Sequence, residues 1–497
     1  MSLQFITGGS GAGKSEYLSR LVCEESVRRP HDNFIVVVPE QYTMETQKKL
    51  VHMHSRKGIL NIDVVSFERL AYKVFEELGG GNRPVLDDTG KNLIVRRVLE
   101  KEKKKLDYFG SSIEKTGFVS ELKSVISELL QYGITPQQLG EIGENVKEKQ
   151  QLSAKLKDIR LVYKEFMAFL STNYITSEEI LDVLCGLVEK SKLIAGSEII
   201  FDGFTGFTPI QYKLMRLLLV YSKGIKISVT IDKKERPTGH EGWNNLFFMS
   251  KEMMNRLIAI CEEEGINVDD TVCVDRDINY RYEGAKDLAY LERNLFRYKG
   301  GVYTGTPENI RIYEGSNPKE ELQYIVSEIL QLTRKEGFRY RDIAVVTADL
   351  ETYGKVAANM MKQNDIPAFL DYKRSVAANP YVEMLCSALE IVEKGYPYDT
   401  MFRYLRTGLT GISRHDIDML ENYCLAVGIR GSRAWHEPWK KKMKRSTSQP
   451  ELETLNALRE QIMAPFLNLE AVLKDKEANV RAYVTAVYEF VTALHSA

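Results

Sequence analysis

The sequence predicts an α/β chain built round a glycine-rich phosphate loop and interrupted by large all-helical insertions. Three observations predict it. Short β-branched runs alternate with helical patterns over the first eighty residues, and the first run leads straight into Gly8-Gly9-Ser10-Gly11-Ala12-Gly13-Lys14-Ser15. The alternation then stops for a long helical stretch before strand signals return.

In chain order, LQFIT (Leu3 to Thr7), FIVVVP (Phe34 to Pro39) and IDVVSF (Ile62 to Phe67) are continuous apolar runs. They suit parallel strands covered on both faces, which need no polar alternation. KSEYLSRLVCEES and METQKKLVHMHS, between them, carry apolar residues at helical spacing. Residues 1–81 therefore read as the first part of an α/β domain. Over 82–195 only helical spacing is found, as in FVSELKSVISELLQYGI and LSAKLKDIRLVYKEFMAFLS, which predicts an all-helical insertion. EIIFDGF and IKISVTID then rejoin the first sheet, so residues 196–300 are expected to complete a discontinuous domain.

After a Gly- and Thr-rich stretch, NIRIYEG, DIAVVTAD and PAFLD read as strands separated by helices through KEELQYIVSEILQLTRKEG and Val356 to Gln363. They predict a second, partial α/β domain over 308–378, followed by a helical region over 379–497. Because the sequence stops at Ala497 inside a helical pattern, the chain is expected to be part of a longer protein.

With 68 Lys+Arg against 69 Asp+Glu in 497 residues, the chain is no histone-like or basic-tail protein. No run approaches the roughly 18 to 20 apolar residues of a membrane span, and no signal-peptide pattern opens the chain, so a cytoplasmic protein is expected. The six cysteines form no C-x-x-C pair and read as ordinary buried thiols. The seven histidines show no productive metal spacing.

The loop matches G-x-x-x-x-G-K-[ST] between a strand and a helix. Its glycines let backbone N–H groups converge on phosphate oxygens, Lys14 supplies a charge to the β and γ phosphates, and the Ser15 hydroxyl can ligate Mg²⁺. Hydrolysis needs more: a carboxylate for the metal and a group that orients water. Asp202, after the run Ile199-Ile200-Phe201, is the candidate second metal ligand, but Gly203 follows it and has no side chain with which to polarise water.

Asp202-Gly203-Phe204-Thr205-Gly206-Phe207-Thr208-Pro209-Ile210-Gln211-Tyr212 resembles the D-E-F-Q-D-T-N-x-x-Q-Y box of UvrD-like superfamily 1 helicases, with Gly203 and Thr205 replacing the catalytic Glu and the coupling Gln. Together with the loop, Val38-Pro39-Glu40-Gln41-Tyr42-Thr43 and Val65-Ser66-Phe67-Glu68-Arg69-Leu70, it makes the whole chain resemble the AddB/RexB family of helicase/deoxyribonuclease B subunits.

The resemblance implies RecA-like domains on a helicase framework that binds ATP and Mg²⁺ without unwinding DNA. It implies a heterodimer with a helicase-nuclease A subunit in double-strand break repair and recombination, acting on single- and double-stranded DNA and scanning for the hotspot Chi. The family's nuclease domain and iron–sulfur cluster would belong to the full-length subunit only, so none of the cysteines here is a cluster ligand. Neither ATP hydrolysis nor DNA cleavage is expected of this chain alone.

Leu291-Glu292-Arg293-Asn294-Leu295-Phe296-Arg297 resembles the L-E-x-N-Y-R-S motif. Phe296 stands at the γ-phosphate arginine position and Arg297 is one step out of register, a rotation of about 100° if both lie on a helix; a local bulge would restore Arg297.

By resemblance, single-stranded DNA crosses Gln41, Tyr42, Thr43, Ser66 and Phe67; the alternative for Tyr42 and Phe67 is core packing. Two basic clusters stand out. Lys101, Lys103, Lys104 and Lys105 read chiefly as a solvated surface run, whereas Lys440, Lys441, Lys442, Lys444 and Arg445 follow Trp435, His436 and Trp439, a mixture that suits phosphates and stacked bases or a solvated face equally. The rival for the whole chain is a RecC-like scaffold that binds no nucleotide, shapes a DNA tunnel and docks the A subunit.

Overall fold

The apolar runs form strands at Ser2–Gly8, Asn33–Val37, Ile62–Val65, Ser197–Phe201 and Gly224–Thr230, joined by two-residue strands at Asn267–Val268 and Val272–Cys273. This architecture is that of a computed structural model, which describes residues 1–79, 84–113, 115, 117–146, 148–236, 242–297, 300–371, 376–442 and 452–496. It divides into two units, Met1–Ile312 and Tyr313–Ala497.

In the first unit the sheet order is third, second, fourth, fifth and first strand, with both short strands beside the first. Every pairing is parallel. Val65, Val37, Phe201, Ile227 and Phe5 lie level across the sheet. The segments leaving the strands therefore emerge along one carboxyl edge, the place where open parallel sheets build sites.

Alternate residues of each strand pack on opposite faces. Phe5, Val37, Phe201 and Ile227 meet the helices Phe67–Leu78, Pro209–Tyr221 and Phe248–Glu264. Ile6, Val36 and Ile200 meet Leu18 and Leu50 of the helices Lys14–Arg28 and Thr43–Met53. Burial on both faces is why these strands lack polar alternation.

Local chemistry starts the helices. The Ser66 hydroxyl accepts from the Arg69 N–H at 3.3 Å. Thr208 N–H donates to Gln211 Oε1 at 2.8 Å, with Pro209 in the first turn. Part of the T-P-I-Q signal is thus a capping arrangement.

The insertion contains the helices Asp88–Glu102, Phe118–Gln131, Pro136–Asn145 and Gln150–Asn173, which close over their own core of Val95, Leu99, Ile126, Val162, Phe166 and Leu170. Its ends meet where Val85–Leu86 pairs with Ile175–Thr176. Beyond that pinch, Ile180, Leu184, Val188 and Ile194 pack with the sheet.

In the second unit the helices Pro318–Lys335 and Leu350–Gln363 pack through Val326, Ile329, Met361 and Ile366. The strands expected before, between and after these helices are a correction: residues 310–315, 343–347 and 366–371 carry none. Ile312, Val346 and Phe369 are 96%, 91% and 89% exposed. An apolar run becomes a parallel strand only where neighbours complete its ladder, and among the described residues no strand lies beside these runs. From Pro380 onward the described residues form only helices and their connections, round a core that includes Tyr396, Tyr404, Trp435, Phe466 and Phe490.

Among the described residues no helix is long and apolar enough to cross a membrane. Cys23, Cys185, Cys261 and Cys424 are buried, and burial pushes the thiols of Cys185 and Cys261 up to about 11. Cys273 and Cys386 are exposed, which corrects the expectation that all six are core thiols.

Candidate functional site

The glycine-rich loop leaves the first strand at Gly8, and Gly13, with φ 95°, caps the helix that begins at Lys14. The Lys14 ammonium donates to the carbonyls of Gly8 and Gly9, both at 2.9 Å. Burial lowers its pKa, and the charges of Asp202 and Asp275 oppose that shift. The structure thus brings Lys14 and Asp202 together across the intervening strand. Ser15 lies exposed in the first helical turn.

Asp202 follows its strand directly, its N–H donating to Val37 O at 3.1 Å and its Oδ1 accepting from Ser228 Oγ at 2.5 Å. Gly203 then turns the chain with φ 82°. An L-residue there would be strained whatever its side chain.

Sequence reasoning missed a strap that returns to the loop from residues 275–293. Gly9 N–H donates to Asp275 Oδ1 at 2.8 Å, and Ser10 N–H to Glu292 Oε1 at 3.2 Å. Asn279 Nδ2 donates to Ser10 O at 3.3 Å, and Arg281 N–H to Gly11 O at 3.3 Å. Glu292 has its carboxyl raised chiefly by burial, with Asp232 and Asp275 acting in the same direction. The segment VDRDINYRYEGAKD has neither a two- nor a 3.6-residue apolar period, so only the acidic and aromatic residues themselves were visible.

Arg297 corrects another expectation. The helix Lys286–Asn294 ends before it, and Phe296 adopts φ 59°. That left-handed turn leaves Phe296 exposed and directs Arg297 inward, to Asp232 Oδ2 at 3.3 Å and over the Phe247 ring at 4.8 Å. Neither residue lies on a helix, so the 100° helical rotation does not apply to them.

The nucleic-acid candidates separate. Gln41, Tyr42, Thr43, Ser66 and Phe67 all follow strand ends on the carboxyl edge, but only Gln41 and Tyr42 are exposed. Thr43 Oγ1 donates to Glu40 O at 2.9 Å, and Ser66 caps its helix. Phe67 is core: it is 8% exposed and its ring lies 5.7, 5.4 and 6.0 Å from those of Phe201, Phe204 and Phe207.

In the second unit Trp435 and Trp439 are 1% and 6% exposed, so neither offers a ring face to a base. Their spacing is a packing signal, with Trp439 Nε1 donating to Ala434 O at 2.8 Å. Lys440, Lys441 and Lys442 are exposed, whereas Lys444 and Arg445 lie outside the described residues. Lys101 and Lys105 pair with Glu165 and Glu102, as a solvated surface run would.

Chemically the loop is an anion cradle: its first two free amides already hold carboxylate oxygens. The Ser15 hydroxyl and Asp202 carboxylate are hard oxygen donors that suit Mg²⁺ completed by phosphate and water. No group of three or more metal-binding side chains exists among the described residues, so a metal here would depend on the nucleotide. Directly after Asp202 the backbone supplies no base.

Residues 5–292 match the family model described as ADDB, N-terminal. The B subunit of the ATP-dependent helicase/deoxyribonuclease of Lachnoclostridium phytofermentans is 41% identical over 498 residues, 100% of this chain and 43% of that protein. Proteins of the same name from Clostridioides difficile and Symbiobacterium thermophilum are each 35% identical over 99% of this chain, which covers 43% and 44% of their lengths. The chain thus spans less than half the length of these relatives.

Proposed function

Because the chain belongs to the ADDB N-terminal family of helicase/deoxyribonuclease B subunits, we propose that it is the nucleotide-binding, non-hydrolysing framework of such a subunit, acting with a helicase-nuclease A subunit on broken DNA. In this reading Lys14 and the loop amides hold the phosphates of ATP, while Ser15 and Asp202 hold Mg²⁺, which would screen phosphate charge. The single observation that carries it is the pairing of an anion cradle with Gly203 at φ 82° beside Asp202. The site can grip a triphosphate but lacks the acid that would activate water.

The placement of Gly224–Thr230 between the loop strand and the Asp202 strand supports a RecA-like first domain. Residues 1–81 and 196–300 would form it round the helical insertion. Gln41 and Tyr42, exposed on the same carboxyl edge as the loop, are the favoured contacts for single-stranded DNA and hence for reading Chi. Nuclease action would belong to portions of the subunit beyond this chain.

Equilibrium titration with a fluorescent ATP analogue tests the reading. Mg²⁺-dependent binding is expected, lost on Lys14→Ala, with ATP turnover at background even with saturating single-stranded DNA. Robust DNA-stimulated turnover abolished by Lys14→Ala would overturn the non-hydrolysing assignment. Absence of binding would favour the RecC-like scaffold.

A further inference from the structure

We propose that residues 275–293 are an internal latch on the glycine-rich loop, in which the Asp275 and Glu292 carboxylates occupy amides that a nucleotide's phosphates would use and must withdraw before a triphosphate seats. The proposal rests on the nucleotide-binding reading above and adds its regulation.

Strap and phosphate compete for the same donors. Gly9 and Ser10 N–H groups open the loop, and each points at a carboxylate oxygen of the strap, at 2.8 and 3.2 Å. A phosphate oxygen bound there would need the same hydrogens, and its charge would meet two carboxylates in a partly desolvated pocket.

The strap also covers the loop sterically. A Cβ on Gly11 would come within 2.6 Å of Arg281 Cβ, and one on Gly13 within 3.3 Å of the Tyr280 ring. Only a loop this thin lets the strap lie so close, and a triphosphate is far thicker than a hydrogen atom.

The strap is built to move as one piece. Arg293 donates to Arg276 O at 2.7 Å, and the Arg276 guanidinium stacks 3.5 Å from the Tyr280 ring centre. Its polar ties to the loop are hydrogen bonds, made by Asp275, Asn279, Arg281, Tyr282 and Glu292, and Glu292 is held where burial and neighbouring acids oppose its charge. Asp275 Oδ2 also accepts from Lys233 N–H at 2.9 Å, so withdrawal would release the turn after the fifth strand as well. When only a fraction of molecules has the latch withdrawn, the apparent dissociation constant rises by the inverse of that fraction.

The test uses the whole 497-residue chain, Mg²⁺ and N-methylanthraniloyl-ATP. Asp275→Asn combined with Glu292→Gln keeps side-chain size while removing both charges, and is expected to bind the probe about tenfold more tightly than the unaltered chain. Lys14→Ala in either background should abolish binding. Unchanged or weaker binding by the double variant, with Lys14-dependent binding intact in the unaltered chain, overturns the latch and leaves the nucleotide site standing. Failure of both proteins to bind overturns both readings.

Hydrogen exchange on the unaltered chain gives a readout independent of any substitution. Saturating Mg²⁺ and the probe should speed exchange across residues 275–293 while slowing it at Gly9 to Lys14. Slower exchange in the strap would mean that it closes over the nucleotide instead, which also overturns the proposal.

Discussion

Gly203 and Asp287 show how single residues set what this molecule can do. With φ 82°, Gly203 occupies a conformation that disfavours any other residue, and its nearest neighbour is Pro39, 3.5 Å from a built Cβ. Gly203→Glu is therefore expected to lower stability by about 1 kcal/mol without conferring ATP turnover, because the carboxylate would arrive on a strained backbone. Thermal unfolding and a phosphate-release assay check both halves. Asp287 anchors the end of the first unit: it accepts from Glu308 N–H, Asn309 N–H and Asn309 Nδ2 at 2.9, 2.7 and 2.9 Å. Those bonds, led by Asn309, hold its carboxyl down at about 2. A depressed acid adds stability above its unfolded pKa of about 3.9 and loses it as pH falls through the folded value. The unfolding temperature of Asp287→Ala should thus lie below that of the unaltered chain at pH 5, with the gap closing towards pH 2; a pH-independent gap would contradict this. Phe67, Trp435 and Trp439 teach the converse lesson. An aromatic beside polar or basic residues reads alike whether it stacks on a base or plugs a core, and only tertiary burial decides.

At the scale of elements, the legible parts were those whose signal is local. Strand runs, the loop and the capped helices at Ser66 and Thr208 each carry their cause within a few residues. The strands expected at NIRIYEG, DIAVVTAD and PAFLD failed because a parallel ladder is a property of its neighbours, not of the run itself. The 275–293 strap was illegible because its contacts join residues more than 260 positions apart, as in Asp275 to Gly9. The insertion makes a sharper prediction. Its four helices have their own core, and its ends are pinned side by side by Val85–Leu86 and Ile175–Thr176. Replacing residues 87–174 with a short Gly-Ser linker should preserve the sheet and Lys14-dependent nucleotide binding, since insertions of this kind are tolerated where the ends are close. Loss of cooperative unfolding in the shortened chain would show that the bundle supports the sheet.

For the molecule as a whole, near-neutral net charge means that DNA affinity must come from local patches. Lys440, Lys441 and Lys442 form one exposed patch. Reversing all three charges should reduce the slope of log affinity against log salt for single-stranded DNA by about 2, at roughly 0.7 per phosphate contact. An unchanged slope removes this patch from the strand's path. The parallel topology has one further outcome. Each helix after a strand runs back towards the sheet's amino ends, so Phe67–Leu78 delivers the chain to the margin opposite the glycine-rich loop, and Ser197 restarts from that same margin. The four-helix lobe consequently hangs from the rear of the sheet. A change in its length there would be felt at the sheet's amino ends, away from the loop edge.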